Sequence, residues 1–346
     1  MENGITYAGA GVNIRNADET KREMAGSMES DDARILNKPG AFASLFAASF
    51  RDVKEPVLVL KAEEPGSKQW LAFQHNQIRS ICYDLIHHLV NDIIVMGAKP
   101  EVVLDIILCG QLEKETVLEI VQGIPEACKE QGCSLIGGET SEQPKVLPAG
   151  TYMLNASILG VVDKERIIDG SKIEIGDVVL ALPSNGLHTN GYSLVRKLME
   201  EKPEILKETV EGESFLEAIL KPHQCYYQML KGLFGMEELH GLAHITGGGI
   251  EGNLNRILPA NMSAKVDVGN LRVLPIFGVI KRYGQVPDTD MLRTFNMGVG
   301  ITMVVKPSAL PAVTAHLRQF GCEAYVIGEI VEGNQTVVLE GQLQYP

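Results

Sequence analysis

Residues 83–105 constrain the fold of this chain more than any other stretch. Successive residues of a helix turn by about 100°, so the spacing in this stretch separates polar from apolar side chains on a helix surface. The polar quadrant holds Asp84, His88, Asn91 and Asp92, and the opposite side holds Leu85, Ile86, Leu89 and Ile93. We therefore predict a mostly buried helix with one acidic stripe.

The acidic stripe needs a partner, because isolated buried carboxylates are costly and usually bind a metal, pair with a cation or stay neutral through a raised pKa. Gly97 ends the helix, and a proline three residues later keeps the residue before it extended. Residues 102–108 are then predicted to form a buried strand. We expect three carboxylates, those of Asp84, Asp92 and Asp105, to converge on one cation. The alternative is an amphipathic helix whose acids face solvent.

The composition predicts a globular α/β protein of two domains. The chain has 346 residues, which is long for one core and comfortable for two. Its 35 glycines indicate tight turns or phosphate-binding loops. The net charge of −13 argues against nucleic-acid binding, because phosphate backbones are held by clustered Lys and Arg. An anionic nucleotide is still compatible with this charge when a metal ion accompanies it.

Cysteine usage and the N-terminal sequence predict a soluble, cytoplasmic protein. The six cysteines form no CxxC pair and most lie among apolar residues, as reduced core cysteines do in cytosolic proteins. The sequence does not open on a basic region followed by an apolar run, and no segment approaches the ~18 apolar residues of a membrane helix. We expect no contact with a membrane.

The first part of the chain leads into an acidic loop. Residues 1–54 are predicted to wrap a site, with a helix around residues 17–28 and a loop at residues 37–41. A strand at residues 57–60 then runs into residues 61–68, which carry two glutamates, a glycine and two lysines. Such a segment is either a ligand-binding loop or an ordinary surface turn.

A second strand end, after residues 134–136, carries a glycine pair and a carboxylate. Gly137 and Gly138 let backbone N–H groups approach an anion, and Glu139 offers oxygen to a hard cation. We expect a ligand to bind at this strand end.

Two strand–loop–helix junctions mark the second half of the chain. We place a domain boundary between an N-terminal domain, residues 1–168, and a C-terminal domain, residues 169–346. The junctions read HTNG at residues 188–191 and HITGGG at residues 244–249. They suit an anion site, because a helix N-terminus presents unsatisfied N–H groups; the alternative is a capped turn. The alternation of strands and helices predicts an α/β (α+β) domain pair.

Taken in order, the motifs of this chain closely resemble the aminoimidazole ribonucleotide synthetase family, the phosphoribosylformylglycinamidine cyclo-ligases of purine biosynthesis. The resemblance covers about residues 7–328 and rests on the order and spacing of the motifs. They are DIIVMGAKP at 92–100 followed by Asp105, GGETSEQP at 137–144, HTNGYSLV at 188–195, HITGGG at 244–249 and FNMGVG at 295–300.

The resemblance implies a fold and a reaction. The fold is a two-domain, ATP-binding fold in which the N-terminal sheet pairs with that of a second subunit into a barrel, which makes a homodimer. ATP and magnesium would lie near the dimer cleft, and the substrate would be a small ribonucleotide. In the implied reaction, ATP phosphorylates the formyl amide oxygen, the amidine-side nitrogen attacks the formyl carbon, and phosphate leaves.

The resemblance also assigns roles to residues. For magnesium it implies Glu63, Asp84, Asp92, Asp105 and Glu139. For the nucleotide and phosphates it implies Lys68, Asp84, Asn91, Asp92, Gly97, Gly137, Gly138, Glu139, Thr140, Asn190, Thr246, Gly247, Gly248 and Gly249. For catalysis it implies His188, His244 and Asp92. Magnesium prefers carboxylate and phosphate oxygens, while glycine N–H groups suit the ribose phosphate of the substrate.

The chain departs from the family pattern in three places. Where the family has Gly-Thr-Asp-Gly-Val-Gly-Thr-Lys, residues 61–68 read KAEEPGSK, so the usual aspartate becomes Glu63. The family's glycine-rich N-terminal loop becomes NKPGAFA at residues 37–43, and its Pro-Thr-Arg or Pro-Thr-Lys becomes Pro-His-Gln at residues 222–224. The resemblance therefore supports nucleotide binding more strongly than binding of the substrate phosphate.

Three functions compete on the sequence. The first is the cyclo-ligase with a modified metal loop. The second is another ATP-dependent enzyme of the superfamily, which includes selenophosphate synthetase, thiamine-monophosphate kinase and a hydrogenase-maturation dehydratase. No cysteine precedes Cys82 and the chain ends in Gln-Tyr-Pro, which disfavours the first and last of these. The third is a nucleotide-binding paralogue without catalysis.

Overall fold

The computed structural model describes Gly26, residues 30–37 and residues 40–346 of the chain. Apart from Gly26, the helix predicted around residues 17–28 lies outside the described residues. The chain divides into two compact units. The first runs through Val90 and resumes at residues 99–163, and the second comprises Asn91–Ala98 and Lys164–Pro346.

The first unit is a four-stranded mixed sheet with helices. The sheet order is β1-β4-β2-β3, in which β2 and β3 are parallel and the other neighbours are antiparallel. The elements are β1 (Pro56–Glu63), α1 (Lys68–Gln74), α2 (Ile78–Ile94), β2 (Lys99–Cys109), α3 (Lys114–Glu130), β3 (Ser134–Glu142) and β4 (Tyr152–Asp163).

Helix α2 has the predicted position and burial. It ends at Ile94, and Gly97 follows with a φ of 76°, a conformation that favours glycine. Its apolar residues are buried, and so are the side chains of Asp84 and Asn91. The mostly buried acidic stripe is therefore confirmed, and the alternative in which the acids face solvent is wrong. The last residues of α2 belong to the second unit.

One face of the first sheet carries exposed apolar side chains. Because side chains alternate between faces along a strand, the residues between them point to the buried side. Asp105 is one of those buried residues. The exposed apolar residues are Leu58, Leu60, Leu104, Ile106 and Met153. The largest exposed fraction among them is 71%, at Leu60.

Two strands extend into segments that the sequence predicts as loops. Strand β1 continues to Glu63, and β3 continues through Gly138 and Glu139 instead of ending at residue 136. The reason for β3 is its parallel pairing with β2, which sets Asp105 opposite Gly138. A Cβ atom on Gly138 would lie 1.7 Å from Asp105 Oδ1, so only glycine permits this approach.

The second unit is built on a six-stranded sheet of order β12-β9-β11-β5-β10-β8, in which only β12 and β9 are parallel among the described strands. A small hairpin, β6-β7, stands apart from that sheet. The elements are β5 (Val178–Pro183), α4 (Tyr192–Glu201), β6 (Thr209–Val210), β7 (Glu213–Ser214), α5 (Phe215–Leu220), α6 (Tyr227–Leu230), β8 (Leu239–His244), α7 (Gly249–Leu254), β9 (Met262–Asp267), α8 (Pro275–Gly284), α9 (Asp288–Thr294), β10 (Val299–Val305), α10 (Leu310–Arg318), β11 (Tyr325–Glu332) and β12 (Val337–Glu340).

The topology of the second sheet brings both predicted junctions to one edge. Strand β10 is antiparallel to its neighbours β5 and β8, and its N-terminal residues pair with Pro183 on one side and His244 on the other. The loops that leave β5 and β8 therefore start next to each other. They lead into helices α4 and α7, as the strand–loop–helix pattern predicts.

The longest described helices, α2 and α3, have 17 residues each. Both carry charged side chains along their length. Within the described ranges, no helix combines the length and the apolar character needed to cross a membrane.

Candidate active site

A buried ion pair joins α1 to α2 in the first unit. Lys68 Nζ lies 2.8 Å from Asp84 Oδ1, and neither side chain has any exposed surface. Burial lowers the pKa of Lys68, while the Asp84 carboxylate opposes that shift. In this unit, Asp84 is therefore paired with the ammonium group of Lys68.

Asp105 carries a buried carboxylate oxygen that a cation would stabilise. Its side chain is buried at 3% exposure, and its Oδ1 atom has no hydrogen-bond partner among the described residues. Burial raises its pKa to about 7, against a smaller lowering by a backbone hydrogen bond. An orphaned buried carboxylate oxygen is a donor that fits Mg²⁺, which is held in proteins by oxygen ligands.

The other two predicted metal ligands of the first unit lie elsewhere. Glu63 ends β1, where its carboxylate is 3.0 Å from Lys61 Nζ and 3.9 Å from His88 Nε2. Glu139 is paired with Ile106 in the β2–β3 ladder, so its side chain leaves the sheet on the face opposite to Asp105. Within the described part of this unit, the carboxylates of Glu63, Asp84, Asp105 and Glu139 do not form a group of three ligand atoms within 4.8 Å of one another.

The N-terminal segment crosses the glycine pair of β3. Ser44 Oγ donates a hydrogen bond of 2.7 Å to the Ile136 carbonyl, and a Cβ on Gly137 would lie 2.5 Å from that hydroxyl. The segment is closed by Asn37, which donates to the Ala43 carbonyl and accepts from the backbone N–H that follows Ser44, both at 2.7 Å. Beyond the pair, Thr140 N–H donates to the adjacent Glu139 carboxylate.

In the second unit, Asp92 contacts a histidine. Its Oδ1 atom lies 2.7 Å from His244 Nδ1, and His244 Nε2 lies 3.1 Å from Nε2 of His223. The hydroxyl of Thr189 is 3.5 Å from the other ring nitrogen of His223. The ring of His188 stacks on that of His223 with centroids 3.9 Å apart. Both histidines implied in catalysis therefore lie in one buried cluster with Asp92.

Asn91 fixes the loop that carries His223. Its amide nitrogen donates to the Gln224 carbonyl at 2.8 Å, and its oxygen accepts from the Tyr226 N–H at 3.0 Å. Gly97, implied in nucleotide binding, instead packs closely on residues of the same unit: a Cβ there would lie 3.0 Å from the Arg166 carbonyl.

The three consecutive glycines form a loop that is held by its own hydrogen bonds. Gly248 and Gly249 have φ of 99° and 63°, and their N–H groups donate to the carbonyls of Arg293 and Thr246. Two of the three N–H groups expected to bind phosphate are thus already engaged. The loop adjoins the first junction, since a Cβ on Gly247 would lie 3.3 Å from the side-chain oxygen of Asn190.

Three residues that the sequence analysis does not assign to the site contribute to it. The first, His223, enters that analysis only as a departure from the family pattern. Asn253 donates to the Gly249 carbonyl at 2.8 Å and so holds the glycine loop. Asn296 accepts from Ser184 Oγ at 3.0 Å and donates to the Gly186 carbonyl at 2.9 Å, which holds the first junction. Its position inside the FNMGVG motif could have identified Asn296 as a site residue.

Family models match both halves of the chain. Residues 50–162 match the model described as "AIR synthase related protein, N-terminal domain". Residues 174–340 match "AIR synthase related protein, C-terminal domain".

Solved structures share the fold at low sequence identity. The hydrogenase maturation protein HypE of E. coli has a TM-score of 0.68 at 17% identity, over 96% of this chain and 98% of that one. Thiamine-monophosphate kinase of Stenotrophomonas maltophilia has a TM-score of 0.63 at 16% identity, over 94% of this chain and 96% of that one. A HypE structure in complex with ATP also has a TM-score of 0.63 at 16% identity, over 98% of this chain and 92% of that one. These similarities establish the mixed α/β fold.

Curated relatives are similar along nearly their whole length. The protein named phosphoribosylformylglycinamidine cyclo-ligase in Alkaliphilus metalliredigens is 40% identical over 339 residues, which covers 97% of this chain and 98% of that protein. A protein of the same name in Methylobacillus flagellatus is 39% identical over 95% of each chain. The chain therefore belongs to the phosphoribosylformylglycinamidine cyclo-ligase family, with the N- and C-terminal AIR synthase related domains.

Proposed function

We propose that this chain is an ATP-dependent cyclo-ligase that converts formylglycinamidine ribonucleotide to 5-aminoimidazole ribonucleotide, with release of ADP and phosphate. The observation that carries this proposal is identity of about 40% over nearly the full length of relatives that bear the cyclo-ligase name. The chain would act in the cytoplasm, in purine biosynthesis. Its N-terminal domain, residues 1–168, would hold ATP and the dimer contact, and residues 169–346 would form the C-terminal domain.

The proposed reaction balances in two steps. The formyl amide oxygen attacks the γ-phosphorus of ATP, and ADP leaves. The amidine-side nitrogen then attacks the formyl carbon, the C–O bond breaks, and phosphate departs with the former amide oxygen. The new ring loses a proton to a base.

Acid–base work is assigned to the buried histidines. His188 and His244 are the candidate groups, and the Asp92 carboxylate holds Nδ1 of His244 at 2.7 Å. A carboxylate in this position fixes the tautomer and orientation of the ring and stabilises its protonated form. Asp92 therefore acts as a positioning residue in this scheme.

Magnesium, when bound, would neutralise the phosphate charge that develops during transfer. Asp105 is the ligand that the geometry supports best, because it offers a buried carboxylate oxygen without a hydrogen-bond partner among the described residues. Mg²⁺ usually takes one or two carboxylates together with phosphate oxygens, so a compact cluster of protein carboxylates is not required. The remaining implied ligands are Glu63, Asp84, Asp92 and Glu139.

Replacing Asp92 tests the catalytic assignment. We expect Asp92→Asn to fold and to lose at least about tenfold in turnover with formylglycinamidine ribonucleotide and magnesium-ATP, a loss worth about 1.4 kcal/mol or more. A matched control is Asp177→Asn, because Asp177 also contacts a buried histidine, His240, at 2.6 Å in the same unit. Steady-state kinetics on samples with matched circular dichroism spectra make the comparison. Equal activity of the two variants and the wild type would remove Asp92 from the mechanism.

The homodimer is proposed from the exposed apolar face of the first sheet. An uncovered apolar face of this kind usually marks an interface, and a second copy of the chain would cover it. We expect the wild type to behave as a dimer of 37.7 kDa chains in light scattering, and Leu60→Glu to behave as a monomer. Val338→Glu, at an exposed apolar position on β12 of the second unit, is the control and should stay dimeric. A wild type that scatters as a single chain at micromolar concentration would contradict the proposal.

A further inference from the structure

Three buried histidines of the second unit form a cluster of nitrogen ligands. This triple-histidine cluster consists of His188, His223 and His244, with exposed fractions of 2%, 1% and 6%. One ring nitrogen from each histidine lies within 4.8 Å of a ring nitrogen of each of the others. Such a grouping of imidazoles is the donor set of transition metals, whereas Mg²⁺ takes oxygen ligands.

The spacing of two of the nitrogens is that of a tetrahedral metal site. Nε2 of His223 and Nε2 of His244 are 3.1 Å apart. Two ligands on a tetrahedral zinc ion, with Zn–N of about 2.05 Å, lie about 3.3 Å from each other. The two atoms are therefore separated as they would be on one ion.

In both of these rings, the other nitrogen, Nδ1, contacts an oxygen atom of a neighbouring side chain. Asp92 Oδ1 lies 2.7 Å from Nδ1 of His244, and Thr189 Oγ1 lies 3.5 Å from Nδ1 of His223. Metal-binding histidines commonly donate their second N–H to a carboxylate or another oxygen, which fixes the tautomer and leaves the opposite nitrogen for the metal. The Asp92–His244 pair has this arrangement.

The third ring is tightly enclosed. His188 has a φ of 61°, in the left-handed region that a residue with a side chain seldom adopts. A Cβ on Gly300 would lie 2.9 Å from Cε1 of His188 and would collide with the hydroxyl of Tyr226, so glycine is needed there for the ring to fit. His188 stacks on His223 with ring centroids 3.9 Å apart, which keeps a ring nitrogen of His188 close to those of the other two histidines.

We propose that the triple-histidine cluster binds one zinc-class transition-metal ion through ring nitrogens of His188, His223 and His244. Three protein ligands leave a fourth position for water or an oxygen atom of a bound molecule. The site goes beyond the proposed function, and it uses different residues from the magnesium carboxylates of the first unit. While the ion is bound, the metal-ligating nitrogen of His244 is not available as a base.

His223 is the ligand whose replacement tests the site most directly. It stands in the Pro-His-Gln segment at residues 222–224, and a threonine in its place would offer no ring nitrogen. The same nitrogens also permit an alternative, a hydrogen bond from one ring to the other without a metal. Metal titration separates the two arrangements.

The test is a cobalt titration of the full-length protein after EDTA treatment and desalting, without nucleotide or substrate. We expect one equivalent of Co²⁺ to give the intense visible absorption of a tetrahedral site, and one equivalent of Zn²⁺ to abolish it. His223→Thr should weaken binding by more than about a hundredfold, because removing a ligand costs more than the about 10–100-fold loss caused by removing an outer partner of a ligand. Asp92→Asn should weaken it about 10–100-fold, the usual effect of removing an outer partner of a ligand.

The control is His316→Gln, which removes a histidine of α10 that lies 2.9 Å from the Met229 carbonyl and outside the cluster. It should bind cobalt as the wild type does. Circular dichroism checks that each variant is folded, and His223→Gln replaces the threonine variant if that one is not. The proposal is overturned if the wild type takes up no stoichiometric cobalt, or if folded His223 variants bind it as tightly as the wild type. Because nothing in the assay depends on ATP, this outcome is independent of the cyclo-ligase assignment.

Discussion

Replacing Lys68 by methionine is expected to lower the free energy of unfolding by about 3–5 kcal/mol, the usual cost of breaking a buried ion pair from one side. The variant leaves the Asp84 carboxylate without its ammonium partner at a position with no solvent exposure. The carboxylate must then stay buried and charged or take up a proton, and both cost free energy. Urea denaturation at pH 7, with the slope of the transition compared between proteins, gives the difference.

Two controls separate the pair from its surroundings. Lys265→Met breaks an ion pair with Glu340 in which both side chains are about half exposed, so we expect little change in the free energy of unfolding. Adding Asp84→Leu to Lys68→Met removes the stranded charge and should restore a large part of the lost stability. A Lys68→Met protein as stable as the Lys265→Met protein would show that the buried pair contributes little.

The second large effect concerns the pH dependence that Asp105 imposes. Burial raises the pKa of this carboxyl from 3.8 to about 7 in the folded protein. Between these two values the folded state keeps a proton that the unfolded state releases. Stability contributed by Asp105 is therefore complete below pH 4, falls as the pH rises to about 7, and then stays constant. The full loss corresponds to about 4 kcal/mol.

Asp105→Asn removes this titration. We expect the asparagine variant, in EDTA, to be more stable than the wild type at pH 8 by up to about 4 kcal/mol, with the difference shrinking toward pH 4.5. The cause is that the wild type buries a charged Asp105 carboxylate at pH 8, whereas the asparagine side chain is uncharged. Denaturation at a series of pH values checks the slope. A stability difference that does not change with pH would mean that Asp105 titrates normally.

Local sequence patterns predicted much of the fold. The 3.6-residue spacing, Gly97 and the proline after it predicted α2 and β2 correctly, because helix faces and helix ends are set by nearby residues. The end of β3 was predicted wrongly. Whether residues such as Gly138 continue a strand depends on the partner strand, and β2 supplies that partner through the Asp105–Gly138 register.

The site residues that lie in local sequence motifs were predictable. The contacts between residues far apart in the sequence were not. His188 and His244 stand in recognisable junctions, and the topology of the second sheet brings those junctions together. The contact of His223 with His244 joins a loop to a strand end, and no local spacing encodes it. Likewise, the pairing of Lys68 with Asp84 depends on how α1 packs on α2. The sequence motif of three glycines also did not reveal that two of their N–H groups are used within the loop.

The proposed cyclisation transfers the formyl oxygen to phosphate. The wild-type protein should be incubated with ATP, Mg²⁺ and formylglycinamidine ribonucleotide labelled with oxygen-18 in the formyl group. Phosphorus NMR then reads the label in inorganic phosphate, and chromatography reads the 5-aminoimidazole ribonucleotide. We expect one labelled phosphate for each ring formed. Unlabelled phosphate from simple ATP hydrolysis, or no ring product at all, would contradict it.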